Sequence, residues 1–196
     1  MRKGERTKQH VIETTALLLN KRGYLSTPLS EITQATGLQK GGLYNHFRDK
    51  EELSLESFDH NCRVVEAHIR DRLETALPGA VERLTTYIEA YSLMDYPGGC
   101  PIENLVIEAE AVSEPLFGRA KAAMDDILGF IEATIAEGVA SGDIRSGIDP
   151  REAALFLFSA VEGGILLRKL YPDAMASVLE RIKRYIKEEL RAAPRA

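Results

Sequence analysis

The sequence predicts an all-α fold, and three observations predict it. Apolar residues recur at i, i+3, i+4 and i+7 through most of the 196 residues. No run alternates with period two, and Ala, Leu, Glu and Arg outnumber β-branched residues. The apolar stretches are separated by turn clusters such as Tyr96-Pro97-Gly98-Gly99 and Gly147-Ile148-Asp149-Pro150. Nine to ten helices are expected.

The first runs from Arg6 to Arg22, with Val11, Ile12, Thr15, Ala16, Leu18 and Leu19 on one stripe, and Gly23 closes it. A second starts at Thr27-Pro28, where the hydroxyl can cap and proline at the first helical position gives up only an N–H without a partner. It continues through Leu29, Ile32 and Ala35 to Gly37, and a third spans Gln39 to Phe47. Asp49-Lys50-Glu51-Glu52 has the form of a capping box and opens a fourth helix reaching Leu73 before Pro78-Gly79. Further helices are predicted over Ala80–Met94, Pro101–Val112, Glu114–Ser141, Pro150–Leu170 and Asp173–Arg191.

Composition narrows the function classes. The chain is 44% hydrophobic and 28% charged, which suits an ordinary globular protein. Its longest apolar stretch, Ala153 to Val161, is interrupted by Ser159, and a bilayer needs about 20 apolar residues. The first residues lead into polar sequence, so no secretory signal, no membrane partner and a cytoplasmic setting are expected. Two cysteines in that setting predict thiols. Residues 1–50 hold nine Lys/Arg against four Asp/Glu, whereas the remainder holds 16 against 26. A basic head on an acidic body points the head toward a polyanion. Two domains are expected, 1–60 and 61–196.

The stretch from Leu29 to Lys50 reads as two short helices joined at Gly37, a helix-turn-helix. Ile32, Ala35, Leu38, Leu43 and Phe47 are its expected apolar contacts. Gln39, Lys40, Tyr44, Asn45 and His46 then face outward, amides for base edges and the rest for phosphates. Gly41 and Gly42 cost about 1 kcal/mol each relative to alanine in a helix, and close approach of bare backbone to DNA is a reason to keep them. Thr27 and Lys50 complete the candidate contacts, and Arg2, Lys3, Arg6 and Lys8 are candidates for a basic arm.

This stretch resembles the TetR family of bacterial transcriptional regulators. Ile32 to Leu53 follows the family pattern Ile-Ala-x-x-Ala-Gly-Val-Ser-Lys-Gly-Thr-Leu-Tyr-x-His-Phe-x-x-Lys-Glu-x-Leu, preceded by a matching Gly23-Tyr24. The resemblance is specific over residues 6–60. Gln39, Gly42 and Thr33 depart from it, and these departures bear on operator sequence. The resemblance implies a dimeric helical repressor of a palindromic operator, with Lys40, Gly41, Tyr44, His46 and Lys50 at double-stranded DNA. It also implies a body holding a pocket for a small-molecule inducer.

The aromatic-rich body supplies candidate pocket residues Tyr87, Tyr91, Met94, Cys100, Phe117, Met124, Phe130 and Phe158, which at helical spacing equally make an ordinary core. Cys100 precedes Pro101 at a helix start, where the dipole favours thiolate. Gly99-Cys100-Pro101-Ile102-Glu103-Asn104-Leu105 also resembles a stretch of TetR-type regulators, some of which sense electrophiles. A reactive thiol and a small buried turn residue both fit. Ala154, Val161, Gly164, Val178, Ile182 and Ile186 are candidates for a four-helix dimer interface, or for packing within the chain. No metal spacing, phosphate loop or nucleophile elbow occurs, so neither enzyme chemistry nor a cofactor is expected. Two alternatives to an inducible repressor stand: an activator or architectural protein without an inducer, and a helical small-molecule-binding protein with a vestigial helix-turn-helix.

Overall fold

The computed structural model describes residues 3–193. Among them the chain forms α1 (Lys3–Arg22), α2 (Leu29–Thr36), α3 (Lys40–Tyr44), α4 (Lys50–Glu74), α5 (Ala80–Leu93), α6 (Pro101–Ala109), α7 (Glu114–Ser141), α8 (Pro150–Arg168) and α9 (Ala174–Tyr185). A π-helical turn, Ile186–Leu190, follows α9. The described residues hold no strand, and one isolated bridge joins Ile144 to Arg191. The fold is all-α.

The helix starts show what local chemistry each terminus uses. Asp149 Oδ1 accepts from Glu152 N at 2.9 Å ahead of Pro150, and Cys100 Sγ accepts from Glu103 N at 3.4 Å ahead of Pro101. Asp49 Oδ1 accepts from Glu52 N at 2.8 Å. That N–H, followed by the Arg48 side chain, holds the Asp49 carboxyl below its ordinary range. The reciprocal bond is one residue displaced from a capping box: Glu52 accepts from Arg48 N, not Asp49 N.

Two expectations at α2 are corrected. Thr27 does not cap it: the helix opens at Leu29 after Pro28 without a side-chain cap, and Thr27 Oγ1 donates to Gly23 O at 2.6 Å. Thr36, not Ala35, takes the buried position, its hydroxyl satisfied by Ile32 O at 2.8 Å.

The chain divides into two compact units. The first comprises the described residues up to Val65 together with Asp95–Ala123. Its core collects Val11, Ile12, Ala16 and Leu19 of α1 with Tyr24, Ile32, Leu43, Phe47, Leu53 and Phe58, and with Ile102, Leu105 and Leu116. Tyr24 meets Phe58 edge to face at 6.0 Å. Inside this core Asn61 Nδ2 donates to Ala16 O at 3.0 Å and to Tyr24 Oη at 2.6 Å, while Tyr96 Oη donates to Asn61 Oδ1 at 2.6 Å. Burial raises both phenols, Tyr96 to about 12.

The second unit comprises Glu66–Met94 and the described residues from Met124 onward. Its core is built by α5, α8 and α9 with the C-terminal half of α7. Gly164 on α8 lets α9 approach: a Cβ there would lie 2.9 Å from Met175 Sδ and 3.2 Å from Val178 Cγ1. The last helix does not run unbroken to Arg191. Its final turn widens, both Ile186 and Leu190 are buried, and Arg145 N donates to Leu190 O while its guanidinium donates to Glu188 O and Arg191 O.

Candidate DNA-binding head

The helix-turn-helix is built from α2, the turn at Gly37 and α3. Gly37 sits at φ 69°, a left-handed conformation that glycine adopts without Cβ strain. Ile32, Leu43 and Phe47 are buried and set how the two helices meet. α3 is shorter than its sequence pattern suggested, ending at Tyr44, and the chain then turns with both His46 N and Phe47 N donating to Leu43 O. Asn45 and His46 are therefore presented from the end of α3 and the turn after it.

Burying Leu43 and Phe47 leaves the rest of the segment outward. Gln39, Lys40, Gly41, Tyr44 and Asn45 are exposed, and Gly42 and His46 are half-buried. Lys40 Nζ stands 5.8 Å from the centroid of the Tyr44 ring, and His46 meets Phe47 edge to face. Neither glycine of α3 has positive φ. A Cβ on Gly41 would meet nothing within 4 Å, and one on Gly42 would make only ordinary contact with Leu38. The interior of the fold therefore requires neither glycine.

Three sequence-predicted contacts are placed otherwise. Thr27 is buried with its hydroxyl spent on Gly23 O. Lys50 is half-buried and donates from Nζ to Leu25 O at 2.8 Å. Burial pushes its ammonium down and the Glu108 carboxylate opposes this. Lys8 pairs with Glu56 at 2.8 Å and lies over Phe47, so it is no free arm residue, whereas Lys3 and Arg6 are exposed on the first turns of α1. Arg2 lies outside the described residues.

The candidate pocket residues divide between the units. Cys100 and Phe117 belong to the first, and Cys100 is buried at the start of α6. Tyr87, Tyr91, Met94, Met124, Phe130 and Phe158 belong to the second. There Phe130 stacks on Tyr87 at 4.6 Å, and Tyr91 meets Phe158 edge to face at 5.2 Å. Of the candidate interface residues, Ala154, Val161, Ile182 and Ile186 are buried by their own chain. Gly164, Val178 and Ile182 line a groove of about 400 Å³ between α8 and α9, along with Phe156 and Leu167. The apolar side chains that α8 turns outward are instead Leu155, Phe156, Leu166 and Leu167. Among the described residues no helix is long and apolar enough to cross a membrane, and no three His, Cys, Asp or Glu side chains are grouped to hold a metal.

Sequence reasoning missed Asn20 and Asn61, and read Tyr96 only as part of a turn cluster. A signal existed for Asn61: it stands three residues after Phe58 and four before Val65, a polar residue on an apolar stripe, where burial demands hydrogen-bond partners.

Comparison with known proteins places this geometry. Residues 11–56 match the family model described as bacterial regulatory proteins, tetR family, and residues 77–186 match the tetracyclin repressor-like C-terminal domain. The chain is 28% identical over 163 residues to the HTH-type transcriptional repressor DhaR of Mycobacterium sp. (strain GP1), covering 83% of this chain and 82% of that protein. A TetR transcriptional regulator from Chloroflexus aurantiacus J-10-FL superposes with a TM-score of 0.92 at 31% identity, over 98% of this chain and 100% of that one. The fold is shared also by AibR, solved with isovaleryl coenzyme A and operator DNA, at a TM-score of 0.69 and 22% identity over 91% of this chain and 96% of that one.

Proposed function

The chain belongs to the TetR family of bacterial transcriptional regulators, and from that membership we propose that it is a cytoplasmic, ligand-responsive repressor that binds a palindromic operator as a homodimer. TetR-family proteins are DNA-binding regulators and not enzymes. The observation that carries the proposal is the outward set on and beside α3. Leu43 and Phe47 turn inward, which leaves Gln39, Lys40, Tyr44 and Asn45 facing solvent from a short helix with two bare glycines.

In this reading α3 enters the major groove. The amides of Gln39 and Asn45 have the donor–acceptor pair that reads adenine. Lys40 supplies a phosphate contact, and Tyr44 and His46 donate to neighbouring phosphate oxygens. One such helix reads few base pairs, so a two-fold pair on two half-sites supplies the specificity. The apolar residues that α8 exposes, Leu155, Phe156, Leu166 and Leu167, together with the α8–α9 groove, support a second copy docking on that face.

Release follows from a shift in population. A small molecule bound among the aromatic residues of the second unit, or a thiol modified at Cys100, favours a conformation whose two heads no longer match the half-sites. α4 contributes residues to both units, which supports it as the element that carries the change. DhaR is named a repressor, and AibR was solved with both an acyl coenzyme A and operator DNA, which supports a repressor answering to a small organic ligand.

The test is selection of bound fragments from random duplex DNA with the apo protein, followed by sedimentation of the complex. A palindromic consensus bound by two copies is expected. Failure to enrich any duplex at low ionic strength refutes operator binding, and a single polypeptide in solution refutes the dimer.

A further inference from the structure

The turn between α1 and α2 is gripped from α6, outside the matched DNA-binding segment. Glu108 Oε1 accepts from Tyr24 N at 3.0 Å, and its Oε2 accepts from Leu25 N at 2.8 Å and Ser26 N at 3.2 Å. Three consecutive backbone N–H groups converging on a carboxylate make an anion nest. Lys50 Nζ donates to Leu25 O, so this peptide is held from both sides. Gly23, at φ 106°, leaves room for both the Ser26 hydroxyl and the carboxylate: a Cβ there would stand 2.1 Å from Ser26 Oγ and 2.4 Å from Glu108 Oε1. A second tie lies alongside. Asn20 Nδ2 donates to Pro97 O and Gly99 O, and Asn104 Nδ2 donates to Asn20 O at 3.1 Å. The Gly99–Leu105 motif is thus the start of a joint: Cys100 caps α6, Asn104 ties it to α1, and Glu108 reaches the turn.

We infer that Glu108 is a positioning residue for DNA reading: it fixes the α1–α2 turn, and through it the pose of α2 and α3, without touching DNA. The inference rests on the operator-binding reading above. Its sign is opposite to that of simple electrostatics. A carboxylate on a basic head repels phosphates, so its removal by charge alone tightens binding to every duplex. Loss of a pose instead weakens binding only where base edges are read.

The experiment uses the full chain and the operator recovered by selection. Affinity for that operator and for an unrelated duplex of equal length is measured at one salt concentration for the wild type, Glu108→Ala and Glu108→Gln. Glu108→Ala is expected to lose about tenfold on the operator, on the scale of one charge-assisted hydrogen bond, with the unrelated duplex unchanged or tighter. Glu108→Gln, which keeps one acceptor oxygen and the side chain's volume, recovers part of that loss and carries the comparison should Glu108→Ala not fold. Operator affinity that is unchanged or improved overturns the inference. So does an equal fall on both duplexes, which is a loss of folded molecules and not of pose. A wild type that selects no duplex refutes operator binding itself, and that result is visible before any variant is made.

Discussion

Gly41→Ala separates what the fold needs from what DNA needs. The residue lies in α3, has no positive φ, and leaves open space where a Cβ would go. Nothing in the chain opposes the methyl, so the substitution acts mainly by restricting the unfolded backbone and raising helix propensity. That is a gain of about 0.5–1 kcal/mol. For a chain of this size it raises Tm by about 2–4 °C per kcal/mol, readable by circular dichroism. The same methyl stands on an exposed surface between Lys40 and the Leu43–Tyr44 pair. If bare backbone meets DNA there, operator affinity falls by about tenfold, or 1.4 kcal/mol, in a titration at fixed salt. A stabilised variant that binds its operator undiminished refutes the idea that DNA keeps this glycine, and a destabilised one refutes the geometry.

Three further outcomes are expected. Gly98→Ala forces a Cβ to within 2.2 Å of Asn20 O at a φ of 96°, so urea unfolding should show a loss of about 2–5 kcal/mol from backbone strain plus overpacking; a loss below about 1 kcal/mol contradicts this contact. His60 is lowered by burial and then by Arg63, against the pull of Glu13, so its ring should titrate below 6.5 by NMR and move up in Arg63→Ala. Folding favours its neutral form, so its contribution to stability is present above pH 6.5 and is lost as the pH falls toward the folded-state value. Tyr96, raised to about 12 by burial, should stay a phenol beyond its ordinary 10.0 in a spectroscopic titration of the native protein, with stability falling as pH climbs from 10.0 toward 12; phenolate appearing at the ordinary value shows the ring to be solvated.

Much of the helical framework was legible in the sequence because its signals are local. Proline at the first position marks α6 and α8, and the stretch from Glu114 to Ser141 keeps one periodicity throughout. The burial of Leu43 and Phe47 follows from their spacing, which is why the exposed side chains of α3 could be read in advance. What was not legible depends on partners distant in sequence. Thr27 looks like a cap until Gly23 O is placed beside it, and Lys50 looks like a free cation until Leu25 O is. The apolar stripe of α9 reads the same whether a second copy or the chain itself covers it, and Gly164 against Met175 shows how much is covered at home. Likewise the apolar run past Tyr185 does not distinguish an α from a π turn; in the fold Arg191 N donates to Ile186 O, and the distant Arg145 guanidinium takes up the carbonyls of Glu188 and Arg191.

The grip of Glu108 on Tyr24, Leu25 and Ser26 bears on modularity. Residues 11–56, grafted alone onto a body without a carboxylate at this place, would carry an empty cradle of three amides and a lysine whose anionic neighbour is gone. Exchanging specificities between such regulators therefore calls for transplanting the stretch from Gly98 to Glu108 together with the reading helices, since the two lineages of sequence must agree across a single turn.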